Sequence, residues 1–292
     1  MFDVGGRSLH VLTMGAGTPV VVLEAGIAAS SVSWSLVQRR IAKFTTVLSY
    51  DRAGFGWSDS GPIRTARDAA EDLAHMLELT GLLGPYVVVG HSYGGLIVRL
   101  FQRMYPERVA GMVLVDPVVR AEWRGMSPAK QAMLARGVTL SRRGATLARV
   151  GIVRMALWLL MSGSKHVPRI LARASAGNGA SVTDRLVGEV RKMPKEHWPA
   201  IAWHWGKARS FTAMADNLES LPLSVNQLDE TFSLGNLPLT VLSARPNAEH
   251  AADAALSTRG DNTVVSDSGH WIQLDAPQAV VGAIEGMVRQ LR

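Results

Sequence analysis

At 292 residues and 47% apolar content the chain can bury a full core, and one large domain with an insertion suits that length better than two equal domains. It has no cysteine, which excludes disulfides, a thiolate nucleophile and Cys-based metal sites. The net charge of +7 is uneven: residues 120–209 hold 17 Lys or Arg against 4 Asp or Glu, and the remainder is net acidic. The basic segment reads first as a solvated helical face, with weak association to an anionic membrane surface as the partner it would suit. No zinc-ligand spacing, RNP-type aromatics or helix-turn-helix pattern points to nucleic acid.

From the N-terminus, residues 1–7 lack an apolar signal core, and Gly5-Gly6 sits like a hairpin turn between two short strands within 2–15. An apolar run at 20–23 ends in Glu24-Ala25-Gly26-Ile27, and Trp34, Val37 and Ile41 then mark a helix. A strand at 46–50 leads into D-R-A-G-F-G-W-S-D at 51–59, which has no G-K-[ST] and no dinucleotide fingerprint and reads as a structural loop. Leu73 and Leu77 belong to a second helix ending near Gly81. Val87 to Val89 form a buried strand. Leu96, Ile97, Leu100, Phe101 and Met104 form one broad helical face that Pro106 closes. Another buried strand at 111–115 ends in Asp116-Pro117. Residues 118–236 are helical in pattern and rich in Arg, Trp and Met. Their longest apolar run, Ile152–Met161, is broken by Arg154 and is too short to span a bilayer. Alternation resumes with a strand at 239–243, a helix near 249–257, a strand at 262–266 and a closing helix from Pro277. This order predicts an α/β fold: a mainly parallel sheet flanked by helices, built from 1–117 and 237–292. Residues 118–236 are a helical insertion over the carboxyl edge, where such sheets bind ligands.

The chemistry centres on Gly90-His91-Ser92-Tyr93-Gly94, a G-x-S-x-G between strand and helix. That context makes Ser92 a nucleophile on a sharp turn, with the helix N-terminus beneath it to meet a developing negative charge. A serine hydroxyl needs a base. His270, in Ser268-Gly269-His270-Trp271 after a short strand, emerges at the same sheet edge; His10, His75, His91, His166, His197, His204 and His250 have weaker contexts. A carboxylate must orient the histidine. Asp116 ends the strand after the elbow helix, whereas the loop after 239–243 offers Asn247, followed by Glu249 and Asp253, so these two remain alternatives. Oxyanion donors fall to the amides of Tyr93 and Ile27, with Gly26 letting the latter's loop turn close. No H-E-x-x-H or comparable cluster implies a metal.

Taken together, E-A-G-I, D-R-A-G-F-G-W-S, G-H-S-Y-G-G, V-L-V-D-P and S-G-H-W resemble the α/β-hydrolase superfamily, in that family's order over nearly all of 1–117 and 237–292. The resemblance implies a serine nucleophile, a histidine base, a carboxylate, a backbone oxyanion hole, no cofactor, and 118–236 as the variable cap. The sequence departs from the family twice: the usual His-Gly of the oxyanion loop is Ala25-Gly26, and the usual late aspartate position is Asn247. Haloalkane dehalogenases of the same superfamily place their acid at the end of the earlier strand, which favours Asp116. Their nucleophile, like that of epoxide hydrolases, is an aspartate, so Ser92 argues against both activities. The expected function is a cytoplasmic, carboxylesterase-like serine hydrolase acting on an ester or thioester of a small apolar molecule. Trp123, Met126, Trp158, Met161, Trp198, Trp203 and Trp205 suggest the apolar group. Cleavage of a C–C bond or acyl transfer by the same triad, and a silent ligand-binding protein on the fold, are the alternatives.

Overall fold

Five apolar runs of the sequence become the central strands of one sheet: β4 (Val21–Glu24), β5 (Val47–Tyr50), β6 (Tyr86–His91), β7 (Val109–Val115) and β8 (Leu239–Ser243). They are buried on both faces almost throughout, which explains why they read as continuous rather than alternating apolar runs. The structure is a computed structural model and describes residues 1–62, 65–161, 192–228 and 233–292.

The seven-stranded sheet has the order β3-β5-β4-β6-β7-β8-β9, with β3 (Val11–Met14) antiparallel at one edge and every other pairing parallel. The anticipated hairpin is a separate two-stranded piece, β1 (Phe2–Asp3) with β2 (Ser8–Leu9), whose turn is fixed by Asp3 Oδ1 accepting from the amides of Gly5, Gly6 and Arg7. The other edge, β9 (Gly260–Val264), lies two residues earlier than its apolar character suggests. It is the polar G-D-N-T-V, because an exposed edge strand needs no apolar face.

Alternate residues of each strand feed opposite cores. Val113 and Val115 join α1 (Ser35–Ile41) and the C-terminal helix Pro277–Gln290 on one face. Met112 and Leu114 join α2 (Ala66–Thr80) and α3 (Gly94–Met104) on the other. A Thr65–Asp68 capping box starts α2, and Gly81 at φ 68° stops it. Between β7 and β8 run α4 (Pro128–Arg149), α5 (Ile152–Met161), α6 (Trp198–Trp205) and α7 (Ala208–Asn226). After β8 come α8 (Ala248–Ala254), the short α9 (Ile272–Asp275) and α10 (Pro277–Gln290).

From β4 the chain passes to β5 on one side and then to β6 on the other. The carboxyl ends of β4 and β6 therefore flank the crevice at the topological switch point of the sheet.

Candidate active site

Three non-glycine residues among those described have positive φ: Ala28 at 61°, Ser92 at 52° and Asp116 at 41°. All three follow carboxyl ends of adjacent strands, and such backbone strain gathers where geometry serves chemistry.

Ser92 leaves β6 and enters α3 in a single left-handed step. Its amide donates to the Val115 carbonyl at 3.0 Å, and its own carbonyl accepts from Gly95 at 2.9 Å. The flanking glycines are steric necessities. A Cβ at Gly90 would lie 2.6 Å from the Gly94 carbonyl oxygen, and one at Gly94 would lie 2.5 Å from that of Glu24.

His270 follows β9 in a loop held by Asp275, whose Oδ2 accepts from the Gly269 amide at 2.8 Å. The Ser92 hydroxyl donates to His270 Nε2 at 2.9 Å, and His270 Nδ1–H donates to Asp116 Oδ2 at 2.7 Å. The other Asp116 oxygen accepts from the Ala244 amide at 2.9 Å. Burial raises the Asp116 carboxyl, but the hydrogen bonds from His270 and Ala244 and the neighbouring His270 and His250 outweigh it, so its pKa lies below the ordinary carboxylate value.

The other two carboxylates are engaged elsewhere. Asp253 is fully buried with Oδ1 between Arg99 Nη1 at 2.7 Å and Arg120 Nη2 at 2.9 Å. Glu249 accepts from the amides of Arg120 and Ala121. Asn247 is the N-cap of α8, its Oδ1 accepting from the amides of Glu249 and His250.

The loop after β4 differs from the sequence expectation in one respect. Its left-handed turn is made by Ala28, not Gly26. Gly26 supplies space instead, since a Cβ there would lie 2.8 Å from His91 Nδ1 and 3.4 Å from Ser92 Cβ. Arg52 holds this loop from below: its guanidinium donates to the carbonyls of Ala25 at 2.6 Å and Gly26 at 2.7 Å and pairs with buried Glu24, which also accepts from the Tyr50 hydroxyl. Burial raises the Glu24 carboxyl against the opposing pull of Arg52 and Tyr50. The D-R-A-G-F-G-W-S stretch is a loop, and no local pattern in it signals that Arg52 reaches the site. An arginine two places after a strand is not by itself a signal.

Two of the histidines with weaker sequence contexts lie near the site. His91 donates from Nε2 to the His270 carbonyl at 2.9 Å, and its ring lies 4.8 Å from that of His270. Burial, and then the nearby His270, lowers its pKa to about 3, so it stays neutral. His250 lies beyond β8 on α8, bonded to Ser243 and to the Pro117 carbonyl. His166 lies outside the described residues.

A cleft between the loop after β4 and α6 is lined by Ile27, Ala28, Ile201, His204, Trp205 and Trp271 among others. Of the aromatic and methionine side chains singled out in 118–236, only Trp205 lines it among the described residues. Trp203 stacks on Trp57 at 5.5 Å, Trp198 donates to the Met193 carbonyl, and the Met161 side chain lies outside the described residues. No group of three or more His, Asp or Glu able to hold a metal ion occurs among the described residues, and no helix there is long and apolar enough to cross a membrane.

The sequence profile of the alpha/beta hydrolase family matches residues 20–283. The probable transporter efuK of Hormonema carpetanum is 33% identical over 125 residues, which is 40% of this chain and 18% of that protein. The chain spans less than half the length of that and other curated relatives it matches over short stretches. A longer match is to the mouse sn-1-specific diacylglycerol lipase ABHD11, 24% identical over 284 residues, covering 95% of this chain and 83% of the lipase. Among solved structures, the epoxide hydrolase CorEH without ligand superimposes with a TM-score of 0.69 at 20% identity, covering 98% of this chain and 96% of that one. At that identity the likeness is one of fold.

Proposed function

This chain belongs to the alpha/beta hydrolase family, and from that premise we propose that it is a serine hydrolase cleaving an ester or thioester through an acyl-enzyme. The observation that carries this reading is the unbroken hydrogen-bond chain Asp116–His270–Ser92. Ser92 Oγ attacks the acyl carbon as its proton passes to His270 Nε2, and Asp116 stabilises the imidazolium through Nδ1. The carbonyl oxygen becomes an oxyanion facing the amides of Tyr93 and Ile27. Collapse breaks the bond to the leaving group, which takes the proton from His270. Water then attacks the acyl-enzyme, giving its proton to His270, and the second collapse frees the acid and returns the proton to Ser92 Oγ.

The helices between β7 and β8 act as the cap in this reading, with the Ile201–Trp205 cleft receiving an apolar acyl or alcohol group. The aligned mouse relative, named as a diacylglycerol lipase, supports an ester as the substrate class. The epoxide hydrolase name of the structural neighbour does not transfer, because its likeness is one of fold and the nucleophile position here is a serine.

The test is labelling with a fluorophosphonate, peptide mapping, and turnover on a panel of esters and thioesters with product analysis in water and with added alcohol acceptors. The expected result is a single label on Ser92, lost in Ser92→Ala, with release of free acid. A label elsewhere, or turnover retained by folded Ser92→Ala, overturns the reading.

A further inference from the structure

We propose that the outer face of α4 and the start of α5 docks on an anionic lipid surface. This helix turns three of its large apolar residues outward, while Leu134 and Val138 are half-buried. Small residues fill much of its packed side: Ser141, Ala145 and Ala148 are buried, and Gly144 lies against the Phe211 ring of α7. Met133, Leu140 and Leu147, in contrast, are 54%, 51% and 44% exposed. They recur every seven residues, so each step drifts only about 20° around the helix and the three form one stripe. Arg136 and Arg143 fall on the same arc, also seven apart. Beyond the helix end, Val150, Ile152 and Met155 are also exposed. A lone exposed leucine needs no explanation, but a contiguous row of this length does.

Charge identifies the occupant. Residues 128–161 contain Lys130, Arg136, Arg142, Arg143, Arg149 and Arg154 and no Asp or Glu. Lys130 pairs with Glu122 and Arg142 with Glu219, while Arg136, Arg143 and Arg149 have no acidic partner among the described residues. Apolar side chains flanked by arginines on one face are the composition of a helix lying in a membrane interface. The guanidinium groups meet anionic headgroups while their stems and the leucines enter the acyl boundary. A nucleic acid would engage the arginines and leave Leu140 and Leu147 in water. A second copy of the chain would set like charges against each other.

The test is cosedimentation of the full chain with phosphatidylcholine vesicles and with mixed phosphatidylcholine–phosphatidylglycerol vesicles, over a salt series. The wild type is expected to sediment with the mixed vesicles only, with binding that weakens as salt rises. The double variants L140E/L147E and R136Q/R143Q should each lower partitioning by at least about tenfold. Their melting temperatures should stay at the wild-type value, since all four side chains are exposed. Absence of binding to the mixed vesicles, equal binding to neutral ones, or unchanged binding by both variants overturns the proposal. Retention on a DNA duplex matching that on vesicles reassigns the face to nucleic acid. A dimer that L140E/L147E dissociates, without vesicle binding, reassigns it to a second copy. Either result overturns a lipid partner.

Discussion

In the sheet, large apolar residues point inward and small ones are kept for the turn around Ser92. In α4 the small residues make the packed face and Met133, Leu140 and Leu147 face out. The two regions solve different problems. A side chain placed as tightly as Ser92 favours strand ends locked by packing on both sides and by hydrogen bonds such as those Asp116 accepts and Arg52 donates. The helices between β7 and β8 are tied to this frame at separate points. Tyr93 Oη bonds Ser224 Oγ at 3.2 Å, the Gly56 amide donates to His204 Nδ1 at 2.7 Å, and Arg209 donates to the Gly56 carbonyl.

If the sheet carries the chemistry, substitutions at its strand ends should dominate. The largest effect is expected for Ser92→Ala, a loss of turnover on the order of 10⁶ with the melting temperature unchanged, read by ester hydrolysis beside thermal denaturation. Asp116→Asn comes next, at about 10⁴, because an amide cannot hold the His270 tautomer that leaves Nε2 free.

The comparison sharpens at the buried carboxylates. Asp253→Asn should cost less than about tenfold in turnover, yet it should lower stability by on the order of 3 kcal/mol, since it leaves Arg99 and Arg120 without their shared partner. Glu249→Gln should also stay within about tenfold. A collapse of turnover in either variant, with Asp116→Asn near wild type, would move the acid to α8 and break the assignment.

Arg52→Lys keeps the charge but loses the fork that spans the Ala25 and Gly26 carbonyls. Turnover should fall by about 10–10² with KM little changed, as when an oxyanion donor is displaced. A rise in KM alone would make Arg52 a purely structural anchor.

Within the helical region, Ile201→Ala should leave fluorophosphonate labelling of Ser92 intact while shifting preference between short and bulky acyl esters by about tenfold. An unchanged profile would remove the cleft from substrate recognition.

Stability should also depend on pH. His91 and His204 are buried and neutral, with folded pKa values lowered by burial to about 3 and about 4. Between those values and about 6.5 the unfolded chain binds protons that the folded one does not. Stability should therefore fall as pH drops through that window, by up to about 1.4 kcal/mol per unit for each histidine. His91→Gln, which keeps a donor for the His270 carbonyl, should flatten the slope. A slope identical to wild type in chemical denaturation at several pH values would contradict this.

Much of this molecule could be read from local pattern. Strands buried on both faces leave runs such as 87–89, a strand-to-helix turn leaves G-x-S-x-G, and a helix stop leaves Gly81. Each is imposed by neighbours in sequence, so fold class and Ser92 were legible without coordinates. The edge strand β9 was misplaced by two residues because a solvated strand carries little apolar signal. The partner of His270 was open among Asp116, Glu249 and Asp253, since the choice depends on which carboxylate three separate strand ends bring to one nitrogen. Arg99 and Arg120 decide it in part by occupying Asp253. Likewise nothing local tells that Arg52 reaches from the end of β5 to the Gly26 carbonyl after the neighbouring β4, that Ala28 rather than Gly26 makes the turn, or that Leu140 and Leu147 of α4 face water. Sequence by itself determined what each segment could become, because backbone geometry and burial period act over a few residues. Only the tertiary structure decided which polar groups meet, because hydrogen bonds between residues 154 or 178 positions apart are set by the packing of the whole sheet.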